Sequence, residues 1–172
     1  MLISQRDLDA VGSVTFLSCV TCKVGCANSR IHQNVTEQDL RRGLGEENVT
    51  EDETGLVLQS RDSGGCILLD DKTGCQIDAK SRPIACLVCP LQIDSEGTVL
   101  ANAFCPDARR IAVGLIEKDE EVCKYVGASV RIMMQDNEFC QRSALFADKY
   151  TSRLALGKAS QLSSIDSEFK EG

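Results

Sequence analysis

Thiol groups are the side chains of this sequence best suited to chemistry. Ten cysteines occur among 172 residues, and eight of them fall between Cys19 and Cys105. Residues 64–90 hold four of these, separated by a short apolar run, an Asp-Asp-Lys-Thr-Gly turn and an Arg-Pro step: Cys66, Cys75, Cys86 and Cys89. The sulfurs are thus presented from loop ends rather than spread through a core. Although cysteine is often buried for packing alone, this arrangement indicates metal ligation.

A second thiol group lies upstream, in the order Cys19-x2-Cys22-x3-Cys26. Two residues between cysteines allow a tight turn to aim both sulfurs at one centre, as in zinc and iron-sulfur sites. Radical SAM enzymes use the reverse order, and this chain is too short for their barrel, so that class is set aside. The predicted metal ligands are Cys19, Cys22, Cys26, Cys66, Cys75, Cys86, Cys89 and Cys105. Eight thiolates satisfy two 4Fe-4S clusters or two four-cysteine zinc sites, and soft thiolates suit both.

Charge and hydropathy narrow the range of partners. The net charge is −7, and Arg41-Arg42 and Arg109-Arg110 are the only adjacent basic pairs. Because phosphate neutralisation needs clustered Lys and Arg, we expect no nucleic-acid partner.

The N-terminal residues do not read as a secretory signal, and no stretch reaches the ~20 apolar residues of a membrane span. We therefore expect a cytoplasmic protein, where thiols bind metal more often than they form disulfides. A structural disulfide framework would require export.

The sequence around the thiols predicts an α+β fold. It is a small cysteine-rich module of short antiparallel hairpins and loops, with a helical C-terminal extension. Residues 11–18 are rich in strand formers. Thr36 is the expected N-cap of a short helix that stops at Gly43 or Gly45. Residues 46–54 are acidic, which is typical of a solvated connection.

Strand-like and helical segments follow in turn. Apolar runs between turn-forming residues predict an antiparallel meander and then a hairpin, with strands at 55–60, 66–70, 75–78, 90–94 and 98–102. A helix is expected from Pro106 to Ile116, and helical spacing of apolar residues resumes at Asp119. The predicted domains are a cysteine-cluster metal-binding domain (1–116), a helical extension packing on it or on a partner (117–156) and a flexible Ser-rich tail (157–172).

In this order, the residues resemble the prokaryotic CxxCxxCC family of zinc- or iron-chelating proteins, often called YkgJ-like cysteine-cluster proteins. The resemblance covers roughly residues 16–106. The family pattern has an opening cysteine group, a Thr-x-x-Asp helix start, a Gly-Cys with an apolar run, a Cys-x-Ile, an Arg-Pro, a cysteine three residues past that proline, a further proline and a late Cys-Pro. It is matched by Cys19, Cys22, Cys26, Thr36, Asp39, Gly65, Cys66, Leu68, Cys75, Ile77, Arg82, Pro83, Cys86, Pro90, Cys105 and Pro106.

Four positions depart from the family pattern. Gly25 stands where the family has the first of two adjacent cysteines, and Cys89 stands where it has an aromatic residue. Asp78 replaces a tyrosine, and Asp107 replaces a glycine. We take as a hypothesis that Cys89 supplies the ligand lost at Gly25.

The resemblance implies metal chelation, and its relatives include flagellin lysine methylases, in which a similar module implies an iron-sulfur centre beside a methyl-transfer region. This chain is too short to carry much beyond the module. The function expected first is binding of two 4Fe-4S clusters in an electron-transfer or accessory subunit, with a partner protein or larger redox complex. The alternative is a zinc-binding structural or maturation module without redox turnover. A methyltransferase-like enzyme ranks third, because no catalytic base or nucleophile stands out.

A few residues allow more than one assignment. Arg82 either places its guanidinium near the cluster sulfurs, where it offsets their charge, or forms a rigid corner with Pro83. The single histidine, His32, is assigned to surface or packing, with a ligand role as the alternative. Cys123 and Cys140 lie outside the family-like window and are assigned to packing or chance, with a partner contact or a redox role as the alternative. Because the ligands span much of the chain, we expect the metal-free protein to lose much of its order.

Overall fold

Helices and short antiparallel strands form the part of the chain that the computed structural model describes, which comprises residues 3–14, 33–62, 64–70, 72–78, 81–149 and 153–169. This composition confirms the predicted α+β class. The helices are α1 (Gln5–Gly12), α2 (Glu37–Arg41), α3 (Ile84–Leu87), α4 (Ala108–Glu117), α5 (Glu120–Gln135), α6 (Asn137–Lys149) and α7 (Ala159–Leu162). The strands are β1 (Val49–Asp52), β2 (Gly55–Leu58), β3 (Leu69–Asp70), β4 (Gly74–Cys75), β5 (Leu91–Ile93), β6 (Thr98–Asn102) and β7 (Arg153–Lys158). Two 3₁₀ turns lie at Glu46–Asn48 and Ile165–Phe169.

Helix α2 begins with a capping box, as Thr36 predicts. The backbone N–H of Thr36 donates to Asp39 Oδ2 at 2.9 Å, and the Asp39 N–H donates to Thr36 Oγ1 at 3.4 Å. Both side chains are buried, so the two bonds satisfy backbone donors that water does not reach. The helix stops just before Gly43, whose φ of 100° favours glycine.

Two small hairpins follow α2. Strand β1 pairs with β2, with Val49 opposite Leu58, and β3 pairs with β4, with Leu69 opposite Cys75. The predicted meander over residues 55–78 does not form one sheet, because β2 pairs with β1 and β3 pairs only with β4. The acidic residues 46–54, expected to be a connection, instead include a 3₁₀ turn and all of β1. Their charge is compatible with a strand because no side chain of β1 is buried.

Strands β5, β6 and β7 form a three-stranded antiparallel sheet in that order. Its first hairpin is the one predicted around Gly97, and burial alternates along β6 as expected for a half-buried strand. Strand β7 pairs with β6, from Lys158 opposite Thr98 to Arg153 opposite Asn102. The structure therefore differs from the predicted flexible tail over 157–172. Its described part ends β7 and continues through α7 to the 3₁₀ turn, because Ala159 and Leu162 pack into the main core.

Helix α5 lies at the centre of this main core. Ten of its 16 residues are buried, because it packs against α1, α3, α4, α6, α7 and the last 3₁₀ turn. The helices expected as an extension of the cysteine module thus share one core with α3 and the three-stranded sheet. A second, smaller core is formed by Val35, Leu44 and Leu58, with half-buried residues around it that include Cys66 and Cys86.

Helix α1 occupies residues that the sequence does not predict as helical. Val11 and Gly12, expected to open a strand over 11–18, instead end α1, and residues 15–18 lie outside the described part. Asp7 and Val11 share the buried face of α1, and Asp7 pairs with Arg131 of α5 at 2.7 Å. Among the described helices, none combines the length and the apolar character needed to cross a bilayer.

Candidate metal centre

Five of the eight predicted ligands lie in the described part of the chain. Each is half-buried, and no disulfide joins any two of them: Cys66, Cys75, Cys86, Cys89 and Cys105. Cys19, Cys22 and Cys26 lie outside the described residues, as does His32. None of the five described cysteines is therefore fully buried or fully exposed.

Cys66 and Cys75 flank the small sheet of β3 and β4. The N–H of Leu69 donates to the Cys66 carbonyl at 3.1 Å and turns the chain into β3, where Leu69 lies opposite Cys75. Burial raises the pKa of the Cys66 thiol, and the neighbouring Cys75 raises it further, while an N–H from Leu68 and the charge of Arg61 oppose these effects. Two sulfurs that interact electrostatically, one of them accepting a backbone N–H, match the environment of metal-bound thiolates.

Cys86 lies in the short helix α3, and Cys89 follows just after the helix ends; residues 83–90 are here called the thiol turn. The N–H of Cys86 donates to the Pro83 carbonyl at 2.9 Å, and Val88 continues α3 with right-handed helical backbone angles. The C-x2-C spacing allows a turn of this kind to aim both sulfurs at one centre. The Cys89–Pro90 peptide bond is cis.

Two buried groups hold the thiol turn at its ends. At the start, Asp39 Oδ1 accepts the N–H of Ile84 at 2.9 Å. At the end, the Tyr125 hydroxyl of α5 contacts the carbonyl oxygens of Val88 and Cys89, at 3.1 and 2.8 Å. Asp39 and Tyr125 are both fully buried, so these bonds form out of reach of competing water.

Arg82 is hydrogen-bonded both through its side chain and through its own backbone. Its Nε donates to the Ile77 carbonyl at 3.1 Å, and its own carbonyl accepts a bond from the Arg42 guanidinium. Arg42 also pairs with Asp39 at 2.8 Å. Burial is the largest influence on the Asp39 carboxyl and raises its pKa, although the bonds to the carboxylate act in the opposite direction. Arg82 is thus tied to the backbone that supports the thiol turn.

Cys105 lies beside the end of the thiol turn. The N–H of Asn102 donates to the Pro90 carbonyl at 3.0 Å, and the N–H of Cys105 donates to the Asn102 carbonyl at 2.9 Å. These two bonds place the Cys105 turn next to the Cys89–Pro90 step. Cys105 packs on the main core, whereas Cys66 and Cys86 pack on the second core.

The donor chemistry fits a soft metal or an iron-sulfur cluster, because all five candidate ligands are thiols. Within the described ranges, no three His, Cys, Asp or Glu side chains come close enough together to hold a metal ion. The structure therefore places Cys66 near Cys75 and carries Cys86 and Cys89 on one short segment, without assembling three or more of these described thiols into one site.

Cys123 and Cys140 lie apart from these turns. Cys123 is buried in α5, and Cys140 of α6 donates from Sγ to the Met133 carbonyl at 2.8 Å. Burial raises the pKa of the Cys140 thiol, and the charge of Asp136 raises it further. Both surroundings agree with assignment to packing.

Tyr125 is the site residue that sequence reasoning missed. Its helical spacing with neighbouring apolar residues marks it only as a core position. A buried tyrosine hydroxyl needs a hydrogen-bond partner, so a tyrosine at a core position predicts a buried hydrogen bond. The partner itself is not readable from the sequence, because Cys89 lies 36 residues away.

Comparison with known proteins adds no relative: no family model, no curated protein and no solved structure matches this chain. The resemblance to the CxxCxxCC family therefore stays a prediction that rests on the residues quoted for it.

Proposed function

We propose that the protein binds a metal centre through cysteine thiolates, with a 4Fe-4S cluster as the first choice, and acts as an electron-transfer or accessory subunit of a larger complex. The observation that carries the proposal is the placement of Cys86 and Cys89 on a turn whose backbone is held from both ends by buried groups. A fixed backbone with half-buried sulfurs is what a ligand pair requires.

The second support is the electrostatic contact between Cys66 and Cys75. Two thiols near each other resist joint ionisation: burial is the main cause of the raised pKa of Cys66, and the neighbouring Cys75 adds to it. A bound cation removes this penalty because it neutralises both thiolates. Metal binding is therefore the chemistry that suits this pair.

A complete ligand set draws on the upstream cysteines. A 4Fe-4S cluster or a structural zinc takes four thiolates, and no described trio is assembled. The proposal therefore requires sulfur from Cys19, Cys22 and Cys26, or movement of the loops that carry the described thiols. When bound, a cluster would supply one-electron transfer; the residues of this chain supply its ligands and the surrounding apolar packing.

Zinc is the competing metal, because thiolate ligands do not discriminate between zinc and iron-sulfur centres. A zinc-bound form would be a structural or maturation module without redox turnover. The two alternatives share their ligands and differ in colour, sulfide content and reducibility, so one preparation distinguishes them.

The test compares metal content in three variants purified without oxygen. Cys86→Ser and Cys89→Ser each remove one proposed ligand, and both are expected to lose at least half of the metal bound per wild-type chain. Cys140→Ser is the matched control, since Ser keeps a donor for the Met133 carbonyl and lies outside the ligand set. Equal metal content in all three variants would exclude the thiol turn as a ligand site. Unchanged metal in Cys89→Ser alone would reject its compensation for Gly25.

A further inference from the structure

Tyr125 of α5 is hydrogen-bonded to the backbone at the end of the thiol turn. Its side chain is fully buried, and its hydroxyl is the hydrogen-bond donor to the Cys89 carbonyl at 2.8 Å and lies 3.1 Å from the Val88 carbonyl. These are the two carbonyls that flank the backbone N–H of Cys89. A single hydroxyl from the centre of the main core thus holds the end of a turn that lies 36 residues earlier in the sequence.

The rest of the turn is equally fixed. Ile84, Leu87 and Val88 are buried in the main core, with exposed fractions of 0%, 6% and 0%. The N–H of Ile84 is bonded to the buried Asp39. The cysteines between and beside these residues are half-buried. The backbone is therefore held by the protein interior, while neither cysteine residue is fully buried.

We propose that Tyr125 is a positioning residue that preorganises Cys86 and Cys89 as a dithiol before any metal arrives, so that the pair captures a soft, thiophilic cation. The inference rests on the proposed thiolate centre and extends it to a residue outside the cysteine-bearing segment. Preorganisation matters because ligands that are already ordered do not lose further conformational entropy on binding. The helical part of the chain thus contributes to ligand geometry, although Tyr125 itself binds no metal.

The probe is phenylarsine oxide, a trivalent arsenical that bridges two neighbouring thiols. Two S–As bonds replace two S–H bonds and the arsenic-oxygen bond, and water is released. The full-length, metal-free, reduced protein is titrated with the probe, and peptide mapping after alkylation identifies the protected cysteines. In the wild type, we expect Cys86 and Cys89 to become protected together at one equivalent.

Tyr125→Phe removes the hydroxyl and keeps the ring. We expect it to bind the probe about fivefold more weakly, the ratio that loss of one buried hydrogen bond produces. Ser143→Ala is the control for general loosening, because it removes another buried hydroxyl that contacts backbone, at Ile93 of β5. Circular dichroism verifies that all three proteins are folded under the conditions of the titration.

Three results would overturn the inference: equal probe affinity in Tyr125→Phe and wild type, an equal loss in Ser143→Ala, or protection of cysteines other than Cys86 and Cys89. The outcome is separable from that of the proposed function. A protein that binds the probe as expected but carries no metal from the cell contradicts only the proposed function. A protein that carries metal but shows no effect of Tyr125→Phe contradicts only this inference.

Discussion

At the scale of single residues, burial raises the pKa of two thiols, those of Cys66 and Cys140. Cys66 and Cys140 both have a raised pKa with burial as the main cause, yet they have different neighbours. Cys66 lies near a second thiol, and Cys140 lies near the Asp136 carboxylate. A metal would relieve the repulsion at Cys66 because Cys66 and Cys75 are both proposed ligands, whereas the charged neighbour of Cys140 is a carboxylate outside the proposed ligand set.

The reactivity of Cys140 tests this local picture. A raised pKa means that the folded protein holds the thiol proton more tightly than the ordinary value of 9.0 implies. Alkylation of Cys140 should therefore accelerate with pH along a profile centred above 9.0. Proton retention by Cys140 stabilises the fold below the ordinary thiol pKa, and this contribution is lost as pH rises through the folded value.

Mass-spectrometric rates at Cys140, measured from pH 7 to the highest pH at which the fold persists, give this profile. The unfolded protein in denaturant is the reference, because there the thiol should return to its ordinary pKa. A folded-state profile centred at or below that of the unfolded chain would contradict the assigned environment.

At the scale of elements, local chemistry explains which parts the sequence predicts. The capping box of α2 lies within Thr36 to Asp39, and the β5–β6 hairpin turns at Gly97, which has φ of 72°. Helices α5 and α6 follow from the spacing of apolar residues. The pairing of β7 with β6 is different, because Arg153 and Asn102 are distant in sequence and no local pattern connects them. The position of residues 157–169 and the bond from Tyr125 to the thiol turn also depend on residues distant in sequence, so no local pattern predicts them.

The contact between α4 and α5 gives a prediction at this scale. A Cβ added at Gly114 would lie 2.6 Å from Val122 Cγ2, which is too close for two non-bonded carbon atoms, so one of them must shift. Gly114→Ala gains about 1 kcal/mol in helix propensity and loses about 1–3 kcal/mol to overpacking. We expect a net loss of stability in urea unfolding, despite the better helix former.

A double variant separates the clash from other effects. Val122→Ala removes the atoms that the new methyl group would meet, so the double variant Gly114→Ala with Val122→Ala should be more stable than the sum of the single effects implies. Strict additivity, or a stabilised Gly114→Ala protein, would show that the two helices are not in close contact at this point.

The ion-pair cluster around Arg131 gives a second prediction for the elements. Arg131 pairs with Asp7 of α1 at 2.7 Å and with Asp166 of the last 3₁₀ turn at 2.8 Å, and both carboxylates are nearly inaccessible. Arg131→Met should therefore cost about 3 kcal/mol, because it leaves two buried carboxylates without their cation. The measurement is the free energy of unfolding in urea.

Arg41→Met is the matched control. The pair of Arg41 with Glu37 is exposed on both sides, at 77% and 74%, and should contribute about 0.5 kcal/mol or less. Similar small losses in both variants would mean that the Arg131 cluster does not anchor the C-terminal segment to α5.

At the scale of the whole molecule, the described residues form two apolar cores of unequal size, which contribute unequally to stability. The main core holds α5, the three-stranded sheet and the thiol turn. The second core has three fully buried apolar residues, surrounded by half-buried ones that include proposed ligands. So small an apolar cluster provides little stability of its own, and a metal centre would add the rest.

Because the main core does not depend on the proposed metal, we expect the metal-free protein to lose order mainly around the second core. Removal of metal should lower amide protection in the hairpins β1–β2 and β3–β4, while α5 stays protected by the main core. Hydrogen exchange before and after chelation, without oxygen, measures both regions in one sample. Loss of protection in α5 equal to that in the hairpins would contradict this expectation, as would no change in either.

Whether thiolates of this chain hold a metal centre is measured by the iron, zinc and acid-labile sulfide content of wild-type protein purified without oxygen, together with its visible spectrum. We expect coloured protein with about four irons and four sulfides for each cluster, or about eight of each if both form. Zinc without colour would select the structural alternative. Protein with neither metal, and with all proposed ligands open to alkylation in the folded state, would exclude a thiolate-bound metal centre.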